Sequence, residues 1–210
     1  MTFLRFTWFS WQSYLVFCRD LPTFVSSIII IMKINVFCSA NNRLSPVYFE
    51  LTAQLGHWIG SHGHHLVYGG ANLGLMECLA RAVHESGGHV TGVVPSKIEE
   101  GGLVSAYMDE CVRCATLSER KRLMLEASDV VVALPGGLGT LDEIFSVVAE
   151  GTLGYHNKRV VVYNMEGFWT PLSNMLDDMQ QRGMMRGDYH RLITFADDLT
   201  QLVELLEKKD

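Results

Sequence analysis

A glycine-rich run separates a strand-like apolar segment from a helical one and is the clearest candidate for chemistry in the chain. Residues 134–143 read LPGGLGTLDE, so Gly136, Gly137 and Gly139 fall within four positions. Glycines let the backbone turn sharply and approach a ligand closely, and a helix start offers unpaired N–H groups and a positive dipole end. The run lacks the Gly-Lys-Ser/Thr of a Walker A sequence and comes too late in the chain for a dinucleotide fingerprint. It predicts a phosphate site, with a plain strand-to-helix turn as the alternative.

Glu143 follows this run and has two competing interpretations. The spacing Thr140-x-x-Glu143 matches a capping box, in which the glutamate caps a backbone N–H at the helix start. A carboxylate beside a phosphate site is electrostatically unfavourable unless it serves the ligand. The sequence leaves the structural and the catalytic interpretation open.

A second candidate is a basic cluster at the start of another predicted helix, residues 119–127. Arg120, Lys121 and Arg122 occupy its first turn, where the helix dipole disfavours cations. Cations in this unfavourable position, with no evident compensation, indicate a functional site. A solvated run of charges is the alternative. We expect Arg120 and Glu143 to begin neighbouring helices above adjacent strands and to face each other across a cleft.

A further close-approach loop is predicted at residues 68–76, which read YGGANLGLM. Gly69 and Gly70 let the backbone pass near a ligand, with a simple turn as the alternative. Ser39 follows the first predicted strand and joins these loops as a candidate contact.

The elements that position these residues alternate between short β-rich runs and helical patterns from Lys33 onward. The predicted strands are 34–39, 65–68, 90–94, 112–116, 130–134, 160–163 and 192–195. The predicted helices are 46–61, 74–86, 119–127, 141–152, 171–182 and 198–208, and residues 96–108 are predicted as a loop. Such alternation is typical of an α/β fold: a doubly wound parallel sheet in a Rossmann-like three-layer sandwich. Ligands bind such folds outside the carboxyl ends of the strands, which is the edge where all the candidate loops fall.

Composition excludes several classes of function. A chain of 210 residues fits one domain with a sizeable core. A net charge of −6 argues against a broad nucleic-acid or anionic-membrane surface, so a phosphate must be held locally. Five cysteines, an odd number in a chain too large to need disulfide staples, suit a reducing compartment and predict a cytoplasmic protein.

No metal site is predicted. Cys111 and Cys114 form a single pair on a predicted strand that would point them to opposite faces, so buried free thiols are the preferred interpretation. The histidines near position 62 are interpreted as a solvated helix end, with a metal site as the alternative.

Residues 1–31 do not match the rest of the chain. Their apolar runs are interrupted before the ~20 residues that a membrane span needs, and no small-residue cleavage site follows. A mis-assigned start codon, a membrane-associating segment and a packed extension compete, and the first is preferred. We expect residues 1–31 to lie outside the fold and residues 32–210 to form one nucleotide-monophosphate-binding domain.

Together the motifs resemble those of the LONELY GUY (LOG) family of cytokinin riboside 5′-monophosphate phosphoribohydrolases, long mislabelled "lysine decarboxylase". The resemblance rests on residues 135–143, on the Arg120-Lys121 pair and on residues 68–76, and it runs in order from about Ile34 to the C-terminal helix. It implies that Arg120 and Glu143 are catalytic, that the glycine loop binds phosphate, that the protein is a homodimer, and that it uses no pyridoxal phosphate or other cofactor.

The substrate-binding candidates are the residues of the three close-approach loops and the lysine beside Arg120: Ser39, Gly69, Gly70, Lys121, Gly136, Gly137, Leu138, Gly139 and Thr140. Three departures from the family pattern bear on substrate range. Residues 39–41 read Ser-Ala-Asn where the family has Gly-Ser-Ser, Ala71 replaces a third glycine, and Glu77 stands where a glycine is common.

The expected reaction is hydrolysis of the N-glycosidic bond of a nucleoside 5′-monophosphate, with either a cytokinin-type base or plain adenine. Departure of the base passes through an oxocarbenium-like state. A carboxylate can stabilise that state or activate the attacking water. Two other functions compete: a carrier of a phosphate-bearing ligand, such as a molybdenum-cofactor carrier protein, and a nucleotide sensor without catalysis.

Overall fold

The structure, a computed structural model, describes residues 31–208. The interpretations of residues 1–30 therefore lie outside the part of the chain that it describes. Between residues 31 and 208, no helix has both the length and the apolar character needed to cross a membrane.

Within residues 31–208, seven strands form one sheet in the order β4-β3-β2-β1-β5-β6-β7, and every neighbouring pair is parallel. The strands are β1 Lys33–Phe37, β2 His65–Tyr68, β3 His89–Pro95, β4 Glu110–Cys114, β5 Val130–Ala133, β6 Val160–Tyr163 and β7 Ile193–Ala196. The strand order reverses direction between β1 and β5, which is where doubly wound sheets open a crevice for ligands. The predicted fold class is confirmed, with strand bounds shifted by at most two residues.

Helices connect the strands and cover the sheet. They are α1 Pro46–Ser61, α2 Gly74–Glu85, α3 Ser96–Glu100, α4 Leu117–Glu126, α5 Leu138–Thr152, α6 Thr170–Gln181 and α7 Leu199–Glu207. The prediction of a continuous loop over residues 96–108 is wrong at its start, because the five residues of α3 form one helical turn directly after β3. Short 3-10 helices at Met165–Gly167 and Tyr189–Arg191 flank α6.

Two apolar layers hold the sandwich together, and adjacent residues of β1 belong to different layers. Val36 packs in the layer beneath α1, α2 and α7, whereas Phe37 packs in the layer beneath α4, α5 and α6. This assignment follows from the alternation of side chains along a strand. Strands buried on both faces explain why β5 and β6 consist almost entirely of valine.

The expectation that α4 and α5 stand above adjacent strands is wrong. Strand β4 lies at one edge of the sheet, and β3, β2 and β1 separate it from β5. Helix α4 is instead the crossover from that edge to the centre of the sheet, and it runs back alongside α5. Arg120 and Glu143 therefore approach each other from neighbouring helices of one layer.

Candidate active site

A cleft of about 350 Å³ opens at the carboxyl edge of the sheet, where the loop after β1 and the first turns of α2, α4 and α5 converge. Its lining residues are Cys38, Ser39, Ala40, Met76, Leu117, Arg120, Lys121, Gly137, Gly139, Thr140, Asp142 and Glu143. This volume is at the lower end of the ~300–1,000 Å³ typical of ligand pockets.

Helix α5 begins without a side-chain cap. Gly137 is the N-cap residue, in an extended conformation (φ −97°, ψ −152°), and no side chain accepts from the N–H groups of the first turn. Thr140 is thus the third residue of the helix, and Glu143 lies in the second turn. The capping-box interpretation of Glu143 is wrong, because the helix starts three residues before its predicted position and leaves the carboxylate without an N–H to cap.

A capping box with this sequence pattern does form at the start of α4. The Thr116 hydroxyl oxygen accepts a hydrogen bond from the Glu119 N–H at 3.1 Å, and the Glu119 carboxylate accepts one from the Ala115 N–H at 2.8 Å. The cap places the start of α4 at Leu117, two residues before the predicted start. Arg120 is therefore the fourth residue of the helix and not the second.

Arg120 and Glu143 form a largely buried ion pair. Nη2 of Arg120 lies 3.6 Å from Oε1 of Glu143, and the two side chains are 11% and 12% exposed. This distance is too long for a hydrogen bond, and Nε of Arg120 is buried with no hydrogen-bond partner among residues 31–208. Buried donors are normally paired, so the guanidinium has hydrogen-bonding capacity left for a ligand.

Gly69 makes room for this guanidinium. A Cβ atom placed on Gly69 would lie 1.7 Å from Nη2 of Arg120, so no larger residue fits without displacing the arginine. The backbone after β2 does pass close to another group, but that group is the side chain of Arg120 and not the predicted ligand.

Burial in the cleft changes the pKa of Glu143. Burial raises the pKa of Glu143 to about 7, although the charge of Arg120 opposes this shift. Burial likewise raises the pKa of Cys38, which lines the same cleft, so this cysteine remains a thiol. A carboxyl group that titrates near pH 7 is suited to acid–base chemistry.

Lys121 already has protein partners. Its Nζ donates to both carboxylate oxygens of Asp142 at 2.9 Å and to the Ser146 hydroxyl at 2.7 Å. These contacts tie α4 to α5 and offset part of the lysine charge. Its contribution to phosphate binding remains a prediction.

The structure brings most of the predicted site residues into one cleft. The exceptions are Gly136 and Leu138, which line an adjoining groove, and Gly69 and Gly70, which line neither. Gly70 turns the chain with φ +73°, and its carbonyl accepts from the Ser105 N–H at 3.0 Å. Sequence reasoning did not single out several residues that also line the cleft: Cys38, Ala40, Met76, Leu117 and Asp142.

The cysteines and histidines outside the cleft depart from prediction at two residues. Cys114 is buried and Cys111 is exposed, so the two do point apart but only one is a buried thiol. His64 is buried and not solvated, and its Nδ1 accepts a hydrogen bond from the Met32 N–H at 3.3 Å. No group of three histidine, cysteine, aspartate or glutamate side chains between residues 31 and 208 is arranged to hold a metal ion.

The all-parallel doubly wound sheet and the glycine-rich helix start at its switch point define a Rossmann-like α/β protein whose cleft has a helix N-terminus suited to an anion. A family described as "Possible lysine decarboxylase" matches residues 76–206. The chain is 33% identical over 176 residues to a cytokinin riboside 5′-monophosphate phosphoribohydrolase of Arabidopsis thaliana, covering 84% of this chain and 83% of the relative. It is 34% identical over 176 residues to the LOG protein of Oryza sativa, which carries the same enzyme name, covering 84% and 73%. The chain belongs to this family, the LOG family.

Solved structures share the fold. A molybdenum cofactor binding protein of Rippkaea orientalis is similar with a TM-score of 0.65 and 24% identity, covering 85% of this chain and 96% of that chain. The molybdenum cofactor carrier protein of Chlamydomonas reinhardtii gives a TM-score of 0.66 at 21% identity, with the same coverage. At this level of identity the likeness concerns the fold alone.

Proposed function

We propose that the protein is a phosphoribohydrolase that cleaves the N-glycosidic bond of a nucleoside 5′-monophosphate and releases the base and ribose 5-phosphate. The buried pair of Arg120 and Glu143 beside the uncapped start of α5 carries this proposal. The names of the LOG relatives, which specify a cytokinin riboside 5′-monophosphate, support it. The test is release of ribose 5-phosphate from a panel of nucleoside 5′-monophosphates with plain and N6-prenylated adenine.

In the proposed reaction the first turn of α5 holds the phosphate through its free N–H groups and dipole. This remote binding energy positions the ribose over Glu143. The C1′–N bond breaks and its electron pair goes to the base, which Arg120 stabilises by hydrogen bonding. The Glu143 carboxylate faces the cationic C1′ and accepts a proton from the water whose oxygen bonds to C1′. The base acquires its proton from solvent, and Glu143 returns to solvent the proton that it took from the water.

The pKa of Glu143 sets the expected pH dependence. The reaction needs the carboxylate, so kcat/KM should fall about tenfold per unit as the pH drops below about 7. Because Arg120 lowers the pKa of Glu143, Arg120→Gln should move this limb to higher pH in the residual activity. A limb that stays in place in Arg120→Gln would assign the titration to the substrate phosphate, whose own pKa is ~6.

We propose that two copies associate through an apolar groove of about 470 Å³ between α5 and α6. Phe145, Phe168 and Met175 line this groove and are exposed. Contiguous exposed apolar surface is typical of an interface, and a two-fold axis lets the same face serve both copies. Sedimentation should show a dimer that Phe145→Glu converts to a monomer. Leu153→Glu, at the other end of the same helix, is the matched control and should remain dimeric.

We also propose that residues 32–210 form the complete catalytic domain and that it acts in the cytoplasm, where free thiols such as Cys38 and Cys78 stay reduced. A chain that begins at Met32 should fold, dimerise and keep full activity, because every strand and cleft residue of the described chain follows it. The measurements are the yield of soluble protein, its oligomeric state and its specific activity. Loss of soluble protein would make residues 1–31 part of the fold or of the interface.

A further inference from the structure

A histidine-rich corner joins helix α1 to strand β2 at the edge of the sheet opposite the cleft. Gly63 turns the chain there with φ +71°, and the His64 N–H donates to the Ile59 carbonyl at 3.0 Å, which closes the end of α1. The same turn directs His64 into the protein, where it is 3% exposed. This corner therefore buries a titratable ring that has no part in the proposed reaction.

The backbone of Met32 is bound to this corner at both of its polar groups. The Met32 N–H donates to Nδ1 of His64 at 3.3 Å, and the Met32 carbonyl accepts from the His65 N–H at 2.8 Å. We call these two hydrogen bonds the Met32 clamp. Because β1 begins at Lys33, the clamp fixes the chain at the point where it enters the centre of the sheet.

The clamp needs the neutral form of His64. A ring nitrogen that accepts a hydrogen bond carries no proton, so Nδ1 holds the lone pair and Nε2 carries the hydrogen. Nε2 is buried and has no hydrogen-bond partner within residues 31–208. Protonation would put an N–H on Nδ1, directed at the N–H of Met32, and would leave a cation buried. Both consequences oppose the closed clamp.

The groups that face His64 favour its neutral form. From α1 and its end, the rings of Trp58 and His62 lie 4.8 Å and 6.2 Å from the ring of His64, measured between centroids. Burial lowers the pKa of His64, and the charges of His62 and of His65 on β2 lower it further. The Glu207 carboxylate on α7 acts in the opposite direction.

We propose that the Met32 clamp is a pH-sensitive device, closed near pH 7 and opening as the pH falls toward about 5, while the sheet itself stays folded. In the open corner the histidine binds a proton with an ordinary pKa of about 6.5. In the closed corner it binds the proton more weakly, because its pKa is lowered. The closed state is therefore at full strength above pH ~6.5 and is lost as the pH falls through the lowered pKa.

Amide hydrogen exchange of the full-length protein tests the clamp. After correction for the pH dependence of intrinsic exchange, the protection of the Met32 and His65 amides should fall by about tenfold between pH 7 and 5. The Val131 N–H, which donates to the Arg159 carbonyl inside the sheet, is the internal reference and should keep its protection within about twofold. The cleft lies at the other edge of the sheet, so this result does not depend on turnover.

His64→Asn separates the titration of the ring from its role as an acceptor. The asparagine carbonyl oxygen can accept from the Met32 N–H but does not titrate, so the protection of Met32 should be the same at pH 7 and 5 within about twofold. His57→Asn is the matched control. It replaces an exposed histidine of α1 that is hydrogen-bonded to Ser86, and it should keep the wild-type fall.

Two results would overturn the proposal: protection of Met32 that does not change with pH in the wild type, or an equal fall in His64→Asn. If His64→Asn does not fold, titration of the wild-type His64 ring by nuclear magnetic resonance decides the matter. A midpoint below 6.5, with loss of Met32 protection over the same pH range, supports the clamp. A midpoint at or above 6.5 contradicts it.

Discussion

Glu143→Gln should reduce kcat by roughly two orders of magnitude or more while leaving the melting temperature close to that of the wild type. Glutamine has the shape of glutamate but no charge to stabilise an oxocarbenium ion and no basic oxygen to accept a proton from water. The fold should tolerate the change, because α5 begins at Gly137 without a side-chain cap and Glu143 accepts no hydrogen bond from the first turn. The variant should bind adenosine 5′-monophosphate at least as tightly, because a carboxylate near the phosphate has been removed.

Two further variants give this result its specificity. Arg120→Ala should also lose turnover, because it removes the partner of the carboxylate and the donor beside the base. Asp142→Asn changes a neighbouring carboxylate of the same helix, one that is 61% exposed and paired with Lys121, and should keep activity within a few-fold. If Glu143→Gln retains most of its activity, or if Asp142→Asn loses as much, Glu143 is not the catalytic carboxylate.

The 5′-phosphate of the substrate should account for the second large effect. Adenosine should react with a kcat/KM lower than that of adenosine 5′-monophosphate by about a hundredfold or more, because misplacement of the ribose by even ~1 Å costs that much. The groups of the cleft suited to a phosphate lie at the start of α5, where Gly137 and Gly139 leave the backbone open to a ligand. Initial rates on the two substrates measure the ratio.

Competition separates this phosphate effect from contacts with the sugar. Ribose 5-phosphate should inhibit the reaction competitively, and ribose at the same concentration should not. Equal rates on adenosine and its 5′-monophosphate would remove the phosphate from the proposed site.

The fold was predictable from the sequence because its signals are local. Alternating β-rich and helical patterns, with strands made of consecutive valines, specify a buried parallel sheet whatever the strand order. The order itself is not local: no pattern in residues 110–133 indicates that three strands lie between β4 and β5. The sequence predicts that Arg120 and Glu143 lie close together because their helices follow adjacent strands. The strands are not adjacent, and the crossover of α4 is what brings the two residues together.

The capping motif shows the same limit within a few residues. Thr116-x-x-Glu119 and Thr140-x-x-Glu143 have the same spacing, yet only the first caps the start of a helix. The chain ahead of Thr140 enters the helix at Gly137, so the pattern falls inside α5. Local sequence does not choose between two possible helix starts three residues apart.

Burial determines the remaining features of the site, and burial is a property of the folded chain. The raised pKa of Glu143 results from the covering of its carboxyl group by neighbouring elements. Met76 and Leu117 are ordinary apolar residues in a linear pattern and become part of the cleft only when the fold brings the starts of α2 and α4 to one edge of the sheet.

Product analysis is the most direct test of the proposed phosphoribohydrolase activity. The purified full-length protein is incubated with an excess of adenosine 5′-monophosphate or its N6-isopentenyl form, and all products are separated and quantified. We expect free base and ribose 5-phosphate in equal amounts over many turnovers, and neither product from Glu143→Gln on the same time scale. Nucleoside with inorganic phosphate, or no turnover from a protein that purifies with a bound pterin, would contradict the proposal.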